Sequence, residues 1–177
     1  MILLMGVAGA GKSVQGRRLA DEKGLPWLST GEFLRMLVVG ERRKQMLAGK
    51  LLSDKEIIEL ANKIFHIIDV KEEFLLDGFP RTIDQADWLY AQHKAGLMEI
   101  TCVLHMQASE EVVSRRLLSR GRQDDTKESI VKRFAEYNAV TLPIIDSLEK
   151  KGIKVHHINA ENSPEEVHAE VIKALYS

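Results

Sequence analysis

The chain has 177 residues, enough for one domain that buries about 70% of its unfolded surface without a disulfide or metal to hold it. With 25 basic and 26 acidic residues the formal charge is −1, which excludes a global positive field for nucleic acid or an anionic membrane and makes any basic chemistry local. Cys102 is the only cysteine, so no internal disulfide can form; within its apolar run it reads as a small buried hydrophobe of a reducing compartment rather than a nucleophile.

The elements follow in chain order. A short apolar run, residues 2–5, reads as a strand; it is too short for a signal or membrane helix and has no basic flank, so the cytoplasm is the expected location. It passes directly into Gly6-Val7-Ala8-Gly9-Ala10-Gly11-Lys12-Ser13, a phosphate-binding loop placed where a strand hands over to a helix. Glycines there let successive N–H groups turn towards an anion, Lys12 reaches β/γ phosphates, and Ser13 offers a hydroxyl to Mg²⁺. Helical periodicity then covers 13–23, 32–39 and 54–70, with a short strand at 27–28; strands at 74–76, 100–106 and 153–158 alternate with helices over 82–94, 109–119, 127–150 and 164–175. Pro143 is expected to kink or split the helix over 127–150. This alternation predicts an α/β fold, a parallel sheet with helices on both faces and ligands at the carboxyl ends of its strands. Residues 30–72 hold helices with no strand between them, the pattern of a helical insertion that moves against the sheet.

Two further groups carry chemistry. The run Phe74-Leu75-Leu76 closes on Asp77, as a buried strand delivers a carboxylate to a Mg²⁺-nucleotide site, and Arg81 follows behind the rigid Pro80 where it can grip a phosphate with two donors. Arg116, Arg120, Arg122 and Arg133 surround Asp124-Asp125. Guanidiniums beside carboxylates are commonly solvated ion pairs, but transfer of a phosphoryl group between two phosphorylated nucleotides needs several cations at once. Trp27, Trp88 and Phe134 read as packing groups, 69–73 as a solvated helix end, and His156-His157 point to opposite faces of a strand; no His or Cys pair has zinc-site spacing.

The phosphate loop, Ser29-Thr30-Gly31-Glu32-Phe33-Leu34-Arg35, Asp77-Gly78-Phe79-Pro80-Arg81-Thr82 with Gln85, and Gly121-Arg122-Gln123-Asp124-Asp125 followed by Lys132-Arg133 together resemble the adenylate kinase family over essentially the whole chain. That resemblance implies reversible transfer between ATP·Mg²⁺ and AMP to give two ADP. It also implies a P-loop NTPase-type sheet of five parallel strands in the order 2-3-1-4-5, a monophosphate-binding helical insertion over 30–60 and a vestigial lid over 120–125, all within one domain, 1–177. By the same resemblance Gly9, Ala10, Gly11, Lys12, Ser13 and Val14 cradle the ATP phosphates, with Arg116 near the ATP base and Arg120 also on the ATP side. Thr30, Arg35, Leu52, Gly78, Arg81, Gln85, Arg122 and Arg133 line the AMP site. Lys12, Asp77, Arg81, Arg120, Arg122 and Arg133 make up the catalytic set, with Mg²⁺ brought by ATP and met by Asp77 through water and by Ser13.

Thr30, and Arg81-Thr82 with Gln85, fit adenylate kinases better than the related uridylate/cytidylate kinases, which commonly carry alanine at the first position and asparagine after the arginine. A glutamine amide satisfies a donor and an acceptor on one base edge, and a mismatched base leaves it unpaired at a cost of about 1–3 kcal/mol. AMP is therefore the expected acceptor, with UMP/CMP kinase or a nucleotide-binding regulator or assembly factor of weak catalysis as the alternatives. The expected partners are ATP and AMP alone, with no nucleic acid or membrane, and the expected state is a monomer. Three positions depart from the family pattern: Ala8 in place of proline, Ser13-Val14 in place of glycine-threonine, and the single Gly121 between Arg120 and Arg122 where relatives carry a lid insertion.

Overall fold

A computed structural model describes residues 1–47, 52–122 and 125–177. Five parallel strands, β1 (Ile2–Met5), β2 (Trp27–Ser29), β3 (Leu75–Asp77), β4 (Cys102–Gln107) and β5 (Val155–Asn159), form one sheet in the order β2-β3-β1-β4-β5. The register sets Ile2 beside both Leu75 and Cys102, so β1 is central and every strand ends on the same edge. Because both faces are covered, the central strands are continuous apolar runs rather than alternating ones, which is why they were legible.

Alternate residues of β1 feed two cores. Leu3 and Met5 join Leu28, Phe65, Phe74, Leu76, Leu89, Val103, Ile144 and Leu148 on one face. Ile2 and Leu4 join Leu19, Leu75, Leu104, Met106, Val113, Leu117, Ile130, Val167 and Val171 on the other. The helices that flank the sheet are α1 (Lys12–Lys23), α2 (Thr30–Leu37), α3 (Gly40–Leu47), α4 (Asp54–Phe65), α5 (Ile83–Lys94), α6 (Glu110–Arg120), α7 (Lys127–Glu136), α8 (Leu142–Lys150) and α9 (Pro164–Leu175). Reciprocal capping boxes, Ser53 with Glu56 and Ser163 with Glu166, start α4 and α9 and satisfy N–H groups left over in the first turn. Cys102 is buried on the sheet, and burial pushes its thiol up to about 11, as a structural cysteine requires.

Four elements differ from the sequence expectation. The second helix begins at Thr30, directly off β2, and ends at Leu37 because Val38 turns extended. Helix α3 was not expected: its residues are mostly polar and show no apolar stripe to read. Helix α4 stops at Phe65 rather than 70; the Asp69 side chain accepts from the Lys71 N–H at 3.0 Å, a local turn that competes with helix, and Ile67 lies 84% exposed. The helix expected over 127–150 is split, but by a π turn over Tyr137–Thr141 in which the Leu142 N–H bonds to the Tyr137 carbonyl. Widening the helix one step before Pro143 keeps the proline ring off the carbonyl that an unbroken α-helix would drive into it.

Among the described residues, no helix is long and apolar enough to cross a membrane, and no group of three His, Cys, Asp or Glu side chains is arranged to hold a metal ion.

Candidate active site

The carboxyl edge of the sheet opens into a cavity of about 1000 Å³. Gly6 to Val14 form its floor, running from the end of β1 into α1. Gly11 caps α1 at φ +93°, a left-handed conformation that side-chain-bearing residues rarely adopt; its carbonyl receives the Val14 and Gln15 N–H groups at 3.0 and 3.1 Å. Lys12 folds its ammonium back over the loop, donating to the carbonyls of Gly6 (2.8 Å) and Val7 (2.9 Å). Burial in the floor pushes the Lys12 pKa down to about 8, with Arg81 and Arg120 acting in the same direction and Asp77 opposing them.

Strand β3 delivers the carboxylate. Asp77 is 2% exposed and accepts a hydrogen bond from Ser13 Oγ at 2.7 Å, so the displaced loop hydroxyl and the strand-end carboxylate meet at one point. Two oxygen donors on the cavity floor are the donor type a Mg²⁺ ion prefers, and they fit the Mg²⁺ that the sequence implies. Thr30 Oγ1 donates to the Asp77 carbonyl at 3.1 Å, tying the start of α2 to β3. Gly78 follows at φ +83°, and a Cβ there would stand 2.9 Å from Thr30 Oγ1 and 3.1 Å from Arg81 Nη2; the guanidinium lies across the glycine. Arg81 Nε donates to the Gly78 carbonyl at 2.9 Å, which orients the rest of the fork.

Gln85, 4% exposed, is held at both ends. Its Oε1 accepts from the Arg81 N–H at 2.8 Å, and its Nε2 donates to Asp54 Oδ1 at 2.7 Å. Thr82 Oγ1 donates to the same Asp54 oxygen at 2.7 Å and caps α5 by accepting from the Gln85 N–H at 3.3 Å.

On the opposite wall, Asp125 gathers the arginines. Its side chain is fully buried, and Arg120 grips it with two parallel bonds, Nε to Oδ2 at 2.9 Å and Nη2 to Oδ1 at 2.8 Å. Arg133 Nη1 reaches Oδ1 at 3.2 Å and the Arg122 N–H reaches Oδ2 at 3.3 Å. Burial alone would raise the carboxyl pKa; the Arg120 guanidinium, the Arg122 N–H and the Arg133 charge together hold it below its ordinary value. Asp124 lies outside the described residues. Arg116 donates to the Ala160, Glu161 and Asn162 carbonyls at 2.7, 3.2 and 3.3 Å, bracing the loop between β5 and α9.

The expected residues all line this cavity: Gly9, Ala10, Gly11, Lys12, Ser13 and Val14 on the floor, Thr30, Arg35, Leu52, Asp77, Gly78, Arg81 and Gln85 on one side, Arg116, Arg120, Arg122 and Arg133 on the other. Asp54, Glu136, Tyr137 and Asn162 also line it and were not anticipated. Asp54 sat in view as the residue after a helix-capping Ser53, but its partners lie 28 and 31 residues away, beyond any local pattern.

The sequence that builds this floor and its two arginine-bearing walls matches the family described as Adenylate kinase over residues 4–153. The chain belongs to the adenylate kinase family. It is 38% identical over 180 residues to the adenylate kinase of Corynebacterium glutamicum, 35% over 184 residues to that of Leptospira biflexa and 34% over 180 residues to that of Mycobacterium tuberculosis, in each case with 98% of both chains covered. As a member of this family the chain is a nucleoside monophosphate kinase, a phosphotransferase.

Proposed function

We propose that this adenylate kinase family member transfers the γ-phosphoryl group of ATP·Mg²⁺ to AMP, reversibly, giving two ADP. The observation that carries the reading is a cavity that gathers the phosphate loop and Lys12 on its floor, arginines on both walls and the Gln85 amide at one side. Such a site holds a triphosphate and a monophosphate together, which simple hydrolysis does not require.

In this reading the loop amides and Lys12 hold the β/γ phosphates. Lys12 exchanges its bonds to the Gly6 and Val7 carbonyls for phosphate oxygens. Arg81 and Arg35 hold the AMP phosphate in line, with Thr30, Leu52, Gly78 and Gln85 around the nucleoside. An oxygen of that phosphate attacks the γ-phosphorus as the bond to the β–γ bridging oxygen breaks, and ADP leaves. Arg120, Arg122 and Arg133 neutralise charge spreading over the equatorial oxygens, and Arg116 braces the loop beside the donor base. Ser13 and, through water, Asp77 would hold the Mg²⁺ that accompanies ATP, which would supply further charge neutralisation. Residues 30–60 act as the acceptor-binding arm and 120–125 as a minimal lid; 48–51 and 123–124 of these segments lie outside the described residues. The lone buried cysteine supports a reducing compartment such as the cytoplasm.

A coupled assay over AMP, CMP, UMP and GMP at fixed ATP·Mg²⁺ tests the assignment. The kcat/KM for AMP is expected to exceed each of the others by at least about tenfold, the effect of one mispaired buried polar contact. Equal use of CMP or UMP would refute it.

A further inference from the structure

Among the contacts that the sequence did not announce, those on Gln85 most constrain chemistry. A primary amide has two ends of nearly equal shape and opposite hydrogen-bonding sense, so its orientation is set only by its partners. Here both partners have one sense. The Arg81 N–H can only donate, and it meets Oε1 at 2.8 Å; the Asp54 carboxylate receives Nε2 at 2.7 Å. Thr82 strengthens the arrangement: its hydroxyl accepts the Gln85 backbone N–H, which leaves its own proton for Asp54 Oδ1, at 2.7 Å. Turning the amide over would set N–H against N–H and oxygen against carboxylate inside a residue that is 4% exposed.

We propose that Asp54 is a positioning residue that locks the polarity of Gln85 and thereby makes the acceptor site select 6-amino over 6-oxo purine monophosphates. The inference rests on the reading of this cavity as a purine monophosphate site. With one amide proton committed to Asp54 and one Oε1 lone pair to Arg81, Gln85 offers the cavity one proton and one lone pair in a fixed sense. Adenine presents an amino donor beside a ring-nitrogen acceptor and pairs with that edge. Hypoxanthine presents a carbonyl acceptor beside an N–H donor, the reverse pattern on the same shape, and pairs only with the amide turned over.

The test is the ratio of kcat/KM for AMP to that for inosine monophosphate, in the full chain with ATP·Mg²⁺. In Asp54→Asn, a partner that can itself turn over, the ratio is expected to fall at least about tenfold, with use of inosine monophosphate rising in absolute terms. Asp54→Glu keeps an acceptor-only group and is expected to retain the ratio while lowering both rates. Should the asparagine variant not fold, Asp54→Ser, which removes the carboxylate without adding bulk at a helix start, carries the same expectation. A fall smaller than about fivefold, or a parallel loss of both substrates, overturns the lock. The unmodified protein is a separate arm: if it does not prefer AMP to inosine monophosphate, the acceptor reading itself fails.

Discussion

Replacing Arg81 with alanine is expected to lower kcat for ADP formation by about 10³-fold, the low end of what a transition-state arginine contributes to phosphoryl transfer. The geometry says why the loss should fall on turnover. Arg81 Nε is fixed to the Gly78 carbonyl, so the two remaining nitrogens of the fork arrive pre-aimed in the cavity, close enough to Asp77 for the charges to interact. Binding the acceptor phosphate in line with the donor requires that aim before any bond forms, and it matters most when charge spreads over the migrating group. Arg81→Lys should recover little, because a point charge on a flexible stem reproduces neither the fork nor its anchor. The substitution is also selective. Gln85 is held by the Arg81 backbone N–H, which alanine retains, so preference among bases should survive while rate collapses. Steady-state kinetics over the monophosphates separates these quantities, and near-full turnover in Arg81→Ala would remove the residue from the mechanism.

The second large effect is on stability. Asp125→Asn removes the charge that holds Arg120 and Arg133 together across the α6–α7 junction, leaving two guanidiniums facing an amide. Taking one partner from a fully buried pair costs several kcal/mol; with the two arginines 35% and 28% exposed, water recovers part of it, and about 2–3 kcal/mol is expected. That corresponds to a fall in Tm of roughly 5–10 °C for a chain of this size. The pH dependence has a definite sign. Because the folded carboxyl titrates below its unfolded value, its stabilisation is fully present above the unfolded value, near 3.9, and disappears as pH falls through the folded one. Thermal melts from pH 6 down to pH 3 should therefore converge for the two proteins at the acid end. Curves that stay parallel would show that Asp125 contributes through packing rather than charge.

Much of this architecture could be read from the chain because its cues are local. The strands β1 and β4 are unbroken apolar runs, and the phosphate loop carries its glycines and lysine within a single turn. What could not be read was set by contacts across the fold. The charge run around Asp125 looks like a solvated surface until α6 and α7 close over it. The motif that carries Gln85 was legible, but not its contact with Asp54 at the start of another helix. Helix α3 has no apolar stripe, so periodicity had nothing to detect. The π turn answers a steric problem at Pro143 that sequence announces without saying how it is relieved.

The Lys12 ammonium is folded onto two loop carbonyls with its pKa pushed down to about 8, and nucleotide capture is therefore expected to consume protons. Phosphates replacing the carbonyls would draw the amine back to full charge, so at pH 8 each binding event should take up roughly half a proton from the solvent. Calorimetry in buffers of different ionisation heat would register that uptake as a slope in apparent enthalpy, vanishing near pH 6. A flat plot at pH 8 would mean that the lysine is already fully charged in the free protein. The loop thus couples donor capture to the acidity of its surroundings, and the affinity for ATP should decline as the medium turns alkaline even though no histidine takes part.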